Sequence, residues 1–193
     1  MKKFKLTSEF IVDISGVKLF RIKALIEFGN VKAGDLGGYI EKEENLSHMG
    51  NAWVSGNAQV SGDARVSGNA RVSGDAQVFG DARVSGNARV SGNAQVFGDA
   101  RVSGDARVSG NAQVFGDARV SGDKDYAYAH GFGSCNRTTT FFRLKDGDVG
   151  VRCGCFYGTL AQFRDNVCET HGETKKAQEY LMLADLMDFR FKN

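Results

Sequence analysis

The chain has 193 residues, 25 of them basic and 23 acidic for a formal charge of +2, with 25 glycines and no proline. Residues 1–50 carry 8 basic and 7 acidic groups, 51–123 carry 7 and 7, and 124–193 carry 10 and 9, which excludes a basic footprint for duplex nucleic acid. "MKKFKLTSEFIVDIS" lacks the unbroken apolar core of a secretory signal and no later run is long enough for a bilayer, so a cytoplasmic protein with no membrane partner is expected.

In chain order, residues 1–35 read as a β cap. "FIVDISGVKLFRIKAL" is two apolar runs about Ser15-Gly16, a hairpin pattern. "NVKAGDLGGYIEKEENLSHMGNAWV" then leads into a repeat, with Ile40 and Leu46 six residues apart and a two-residue slip before Val54.

From Val54 to Val120, valine returns at every sixth residue, twelve times. The unit is Ala-(Arg/Gln)-Val-(Ser/Phe)-Gly-(Asn/Asp). Ala and Val, two apart, share one side of a short strand, and the Arg/Gln and Ser/Phe positions share the other. Gly-Asn or Gly-Asp makes the corner, because both residue types accept left-handed backbone. So short a strand with one apolar face is not stable alone, so successive units must stack over a common core. Phe79, Phe97 and Phe115 recur at eighteen residues, which predicts three hexads per coil over residues 36–123 and a column of stacked rings.

The eighteen-residue period sorts the outward side chains into three faces. One carries Gln59, Gln77, Gln95 and Gln113 beside Ser61, Phe79, Phe97 and Phe115. A second carries Arg65, Arg83, Arg101 and Arg119, each two residues after Asp63, Asp81, Asp99 or Asp117, and reads as a solvated, nearly neutral ladder. The third carries Trp53, Arg71, Arg89 and Arg107 with few acidic neighbours. These four are the candidate anion-binding residues, the indole being available to stack a base; a solvated face that keeps the chain soluble is the alternative. Three phenylalanines in line form an apolar stripe that calls for a cover: the C-terminal helices, another copy of the chain, or an outside partner. The expected interface is Phe79, Phe97 and Phe115 with Gln77, Gln95 and Gln113.

This hexad resembles the repeat of the left-handed parallel β-helix family. The resemblance implies left-handed coiling and a homotrimer packed along the helix axis. The lead-in resembles that of bacterial and phage hexapeptide-repeat proteins labelled transferase-like or polymer-forming cytoskeletal.

Residues 124–193 read as a small ββαα domain. "TTTFFRLKDGDVGVRCGCF" turns at Asp146-Gly147 and places Val149, Val151, Cys153 and Cys155 on one face. "GTLAQFRDNVCETHG" reads as a helix capped by Thr159 and ended by Gly172, with Leu160, Phe163, Val167 and His171 on one stripe. A second helix carries Ala177, Tyr180, Leu181, Ala184 and Met187 at helical spacing. The string "CGCFYGTLAQF…ETHG" resembles a module at the ends of phage and prophage proteins, which implies a phage or prophage origin.

All four cysteines lie between Cys135 and Cys168, unlike a disulfide framework. Cys153, Cys155, Cys168 and His171 offer a Cys₃His zinc set; buried cysteine as apolar filler, with no cofactor, is the alternative. Acyltransferases of the β-helix family use a histidine on a coil. Here residues 54–129 contain none, which leaves His48 and His130 at the two ends as candidate bases. These features predict a non-enzymatic binding or scaffold protein, trimeric and phage-encoded, that meets a host protein or ligand. The alternatives are sequestration of a nucleotide or other small anionic immune signal between subunits, acyl-CoA-dependent acyl transfer, and a cytoskeletal polymer.

Overall fold

The structure is a computed structural model, and it describes residues 1–133 and 136–192. Cys135 lies outside the described residues. The chain begins with β1 (Phe4–Val12), β2 (Lys18–Ala24) and β3 (Leu36–Ile40), and β2 pairs antiparallel with both of the others. Twelve two-residue strands, β4 to β15, follow at every sixth residue from Trp53–Val54 to Arg119–Val120. These form a parallel β-solenoid. Each strand pairs in parallel with the one eighteen residues away, as in Arg71↔Arg89↔Arg107.

The repeat folds this way because its inward positions leave no choice. Every Ala and Val of the hexads is at most 1 % exposed, and together they form one continuous core. Each buried valine contributes on the order of 1.5–3 kcal/mol against its ordering cost. Backbone groups are paired between layers: Arg71 N–H donates to the Ala88 carbonyl at 2.9 Å and Ser73 N–H to Val90 at 2.9 Å. Shifting the register by one residue would turn every valine outward.

Gln59, Gln77, Gln95 and Gln113 lie on the strands that continue the β1–β2–β3 sheet, so cap and solenoid share one seven-stranded sheet. β3 joins it in parallel with Tyr39↔Gln59 and Ile40↔Val60, an offset two residues longer than in the repeat. This is the slip visible before Val54.

Both ends of the solenoid are closed by side chains as well as by strands. At the first layer, the Ala58 and Val60 carbonyls accept from the N–H groups of Tyr39 and Glu41. Asn45 Nδ2 donates to Gly62 and Ala64 at 3.0 and 2.9 Å, and Lys3 Nζ donates to Gly50 and Ala52 at 3.3 and 2.8 Å. At the last layer, the donors are taken by other groups. Asp123 Oδ1 accepts from Arg107 N–H at 3.0 Å, Thr140 Oγ1 from Gln113 N–H at 2.9 Å, and Asp125 Oδ2 from Ser121 N–H at 2.8 Å.

The C-terminal region has more strands than the ββαα expectation. A four-stranded antiparallel sheet runs β16 (Tyr126–Phe132), β17 (Arg137–Arg143), β18 (Val149–Cys153) and β19 (Phe156–Thr159) in order. Two helices, α1 (Leu160–His171) and α2 (Lys175–Phe191), pack on it around Phe141, Val151, Phe163, Val167, Tyr180 and Ala184. α1 starts at a reciprocal capping box, Thr159 N–H to Gln162 Oε1 at 2.9 Å and Gln162 N–H to Thr159 Oγ1 at 3.3 Å, and ends at Gly172 with φ +56°. Among the described residues no helix is long and apolar enough to cross a membrane.

Candidate functional site

Outward side chains eighteen residues apart lie on paired strands of the solenoid, and they form two candidate surfaces. On the Gln/Phe face, Phe79 stacks on Phe97 at 4.8 Å between ring centroids and Phe97 on Phe115 at 4.4 Å. Beside the rings the amides form a ladder, Gln113 donating to Gln95 and Gln95 to Gln77, each at 3.2 Å. The rings are half-buried. What touches them differs along the column. At one end Tyr157 of β19 meets Phe115 edge-on at 4.6 Å and the Arg152 guanidinium lies over the same ring at 5.6 Å. Among the described residues, the ring and cation contacts that cover this end come from the β-sheet. At the other end the β1–β2 hairpin overhangs the face. Ile11, Val12, Ile14 and Val17 line a groove of about 630 Å³ with Gln59, Gln77 and Phe79. Ile14 is fully exposed at the hairpin tip. Phe97, in the middle, has ring contacts only with its column neighbours among the described residues. Sequence reasoning missed the hairpin overhang; an isoleucine inside a predicted turn, "DIS", was the available signal.

On the third face, Arg71, Arg89 and Trp53 line one groove of about 630 Å³ together with Asn30, Ser55, Ser73 and Ser91. Arg107 falls into a separate groove of about 380 Å³ with Asp123, Tyr126, Tyr128 and Arg190. Trp53 does not fill its expected role. It is 5 % exposed, packed in the solenoid core, and Phe28 meets it edge-on at 5.4 Å. The indole is a core residue under the cap, because the only large ring in the column falls where the first layer needs covering.

The Arg65/Arg83/Arg101/Arg119 face is balanced differently from the expected Asp–Arg ladder. Asp63 pairs with Lys42 and Asp117 with Lys145, each at 2.7 Å. The lysines hold both carboxyls below the ordinary carboxylate range, with Arg65 and Arg119 adding to the effect. No Asp–Arg pair within 4 Å forms on this face among the described residues.

The zinc set is not assembled. Cys153 is half-buried, accepting from Thr139 Oγ1 at 3.1 Å. Cys155 has left the strand for the turn after β18, Cys168 is exposed on α1, and His171 stacks on Tyr180 at 5.8 Å. Among the described residues no three His, Cys, Asp or Glu side chains come together to hold a metal ion. The one-residue spacing of Cys153 and Cys155 puts a corner, not a strand, between the two thiols.

The two end histidines sit in different surroundings. His48 Nδ1 accepts from Lys3 N–H at 3.1 Å, so the ring proton sits on Nε2, 3.0 Å from Glu43 Oε1. The ring also stacks on Phe4 at 4.3 Å. With one nitrogen accepting from backbone and the other donating to carboxylate, no lone pair is left for a substrate proton. His130 is exposed on β16 with Nδ1 3.0 Å from Thr138 Oγ1.

The repeated part of the chain matches the YdcK β-solenoid repeat. The family model fits six overlapping stretches, 58–74, 64–80, 76–92, 82–98, 94–110 and 100–114. They fall inside the run of hexads and leave the cap and the C-terminal sheet and helices unmatched. No curated protein matches the chain.

Proposed function

We propose that the protein is a non-enzymatic binding or scaffold protein, a cytoplasmic homotrimer assembled through the Phe79/Phe97/Phe115 column and its Gln77/Gln95/Gln113 ladder. The observation that carries this reading is Phe97. It is an apolar ring in the middle of a hydrogen-bonded face, touched among the described residues by other rings only within its own column, and such stripes call for a partner. The coil in this reading is left-handed with three hexads to each turn. The eighteen-residue register supports the count, and the resemblance of the hexad supports the hand and the threefold assembly. The C-terminal string supports a phage or prophage origin. The side chains that take up backbone groups at both end layers of the solenoid favour a finite assembly over end-to-end stacking into a filament. The engaged ring nitrogens of His48 count against acyl transfer.

Native mass spectrometry and sedimentation of the wild type and Phe97→Asp test the proposal. A trimer that falls to monomer in the variant, with unfolding temperature preserved, is the expected result. A trimer unchanged by the aspartate, or a wild-type monomer, overturns it, and acyl-CoA turnover that depends on His130 would overturn the non-enzymatic reading.

A further inference from the structure

Arg71 and Arg89 are register partners on adjacent parallel strands, so their side chains leave the sheet one above the other from backbones at the strand spacing of ~4.8 Å. Like charges in this relation destabilise a sheet. Among the described residues neither guanidinium makes a hydrogen bond or an ion pair. The corner residues that precede them, Asn69 and Asn87, are neutral and bond along their own column, Asn69 to Asn87 at 3.1 Å and Asn87 to Asp105 at 3.0 Å. The groove they line adds the Ser55, Ser73 and Ser91 hydroxyls and the Asn30 amide, and none of its lining residues is acidic. The groove beside Arg65 and Arg83 is different, since Glu43 and Glu44 line it too.

We infer that the groove of Arg71, Arg89, Ser73, Ser91 and Asn30 binds a short linear oligophosphate within a single chain, and that it does so without reading a base. Two forked guanidiniums in a row suit adjacent phosphates, each offering the acceptor geometry that arginine engages bidentately. The serine hydroxyls and the amide supply further donors. Bound anion removes the Arg71–Arg89 repulsion, so binding and stability are coupled. Two observations limit the ligand. Trp53 is buried against Phe28 and offers no free face for a nucleobase. Arg107 shares its groove with Asp123, so the acid-free stretch is two arginines long and suits two or three phosphates better than a polynucleotide backbone. This site stands apart from the Phe column and does not depend on assembly.

The test is calorimetric titration of the full chain with tripolyphosphate, ATP and adenosine at constant ionic strength, with thermal unfolding in parallel. Tripolyphosphate is expected to bind once per chain and raise the unfolding temperature, ATP to bind no more than about threefold tighter, and adenosine to give no heat. Arg71→Gln/Arg89→Gln is expected to lose at least tenfold in tripolyphosphate affinity. Arg65→Gln/Arg83→Gln on the Asp-bearing face stays within twofold, and Arg89→Gln alone serves if the double variant fails to fold. No binding of tripolyphosphate, equal losses in the two double variants, or ATP binding tenfold or more tighter than tripolyphosphate would each overturn the inference. Tighter binding to single-stranded oligonucleotide than to tripolyphosphate would also overturn it.

Discussion

The ammonium of Lys3 reaches the Gly50 and Ala52 carbonyls, which deeper in the solenoid would accept from the backbone of a preceding strand. It is 1 % exposed and lies 4.6 Å from the centroid of the Phe28 ring. Asn45, also fully buried, plays the same part at Gly62 and Ala64 while its Oδ1 accepts from Lys42 N–H at 2.9 Å. Unpaired buried carbonyls are costly, so Lys3→Met is expected to lose about 1–3 kcal/mol of unfolding free energy, measured by urea denaturation at pH 7. Burial lowers the Lys3 pKa from 10.5 to about 8. Between these values the unfolded chain still holds a proton that the folded chain has released, so this group's contribution to stability rises from pH 8 to pH 10.5. The neutral amine keeps two N–H donors for the two carbonyls. The gap in stability between wild type and Lys3→Met should therefore widen over that range, and a gap that is flat or narrows with pH would show that Lys3 titrates normally. Nothing in "MKKFKL" distinguishes this lysine from its neighbours. Its role depends on where the first layer ends, which is a property of the fold.

At the scale of the element, the hexad corner is the part most legible in the sequence. Gly86 has φ +66°, and a Cβ there would sit 2.8 Å from Gly104 N and 3.0 Å from Gly104 O. Backbone conformation and close approach of the next layer both require glycine. Gly86→Ala is expected to cost about 1–3 kcal/mol in urea denaturation, whereas Gly122→Ala, with open space around it, should be close to neutral. Equal effects would mean that the corner is not the constraint. The helices were readable for similar reasons: Thr159 and Gly172 are end signals with a local mechanism, and Leu160, Phe163 and Val167 are buried as their spacing predicts. β16 and β19 were not readable. "FYGT" has too few residues to show a period, and it is a strand because Tyr157 and Phe156 meet Arg152 and Cys153 across the sheet. Cys155 was misplaced for the same reason, since the corner between β18 and β19 exists only through their pairing.

For the whole molecule, closure of both solenoid ends sets the expected behaviour in solution. The mass seen by sedimentation velocity should stay constant over a wide concentration range, and mass that grows with concentration would show an open edge that the Lys3, Asn45, Asp123 and Asp125 contacts fail to block. The sequence by itself determined the hexad period, the inward valine and alanine positions and the outward columns that recur at eighteen residues. It could do so because a strictly repeated unit turns a tertiary pattern into a local one. The tertiary structure decided what stands at the ends of each column: Tyr157 and the hairpin over the outer phenylalanines, Phe28 against Trp53, Asp123 beside Arg107, and Glu43 and the Lys3 backbone on His48. These contacts join segments with no shared period, and their outcome depends on the shapes and unpaired groups that meet there. Repetition within either segment does not encode them.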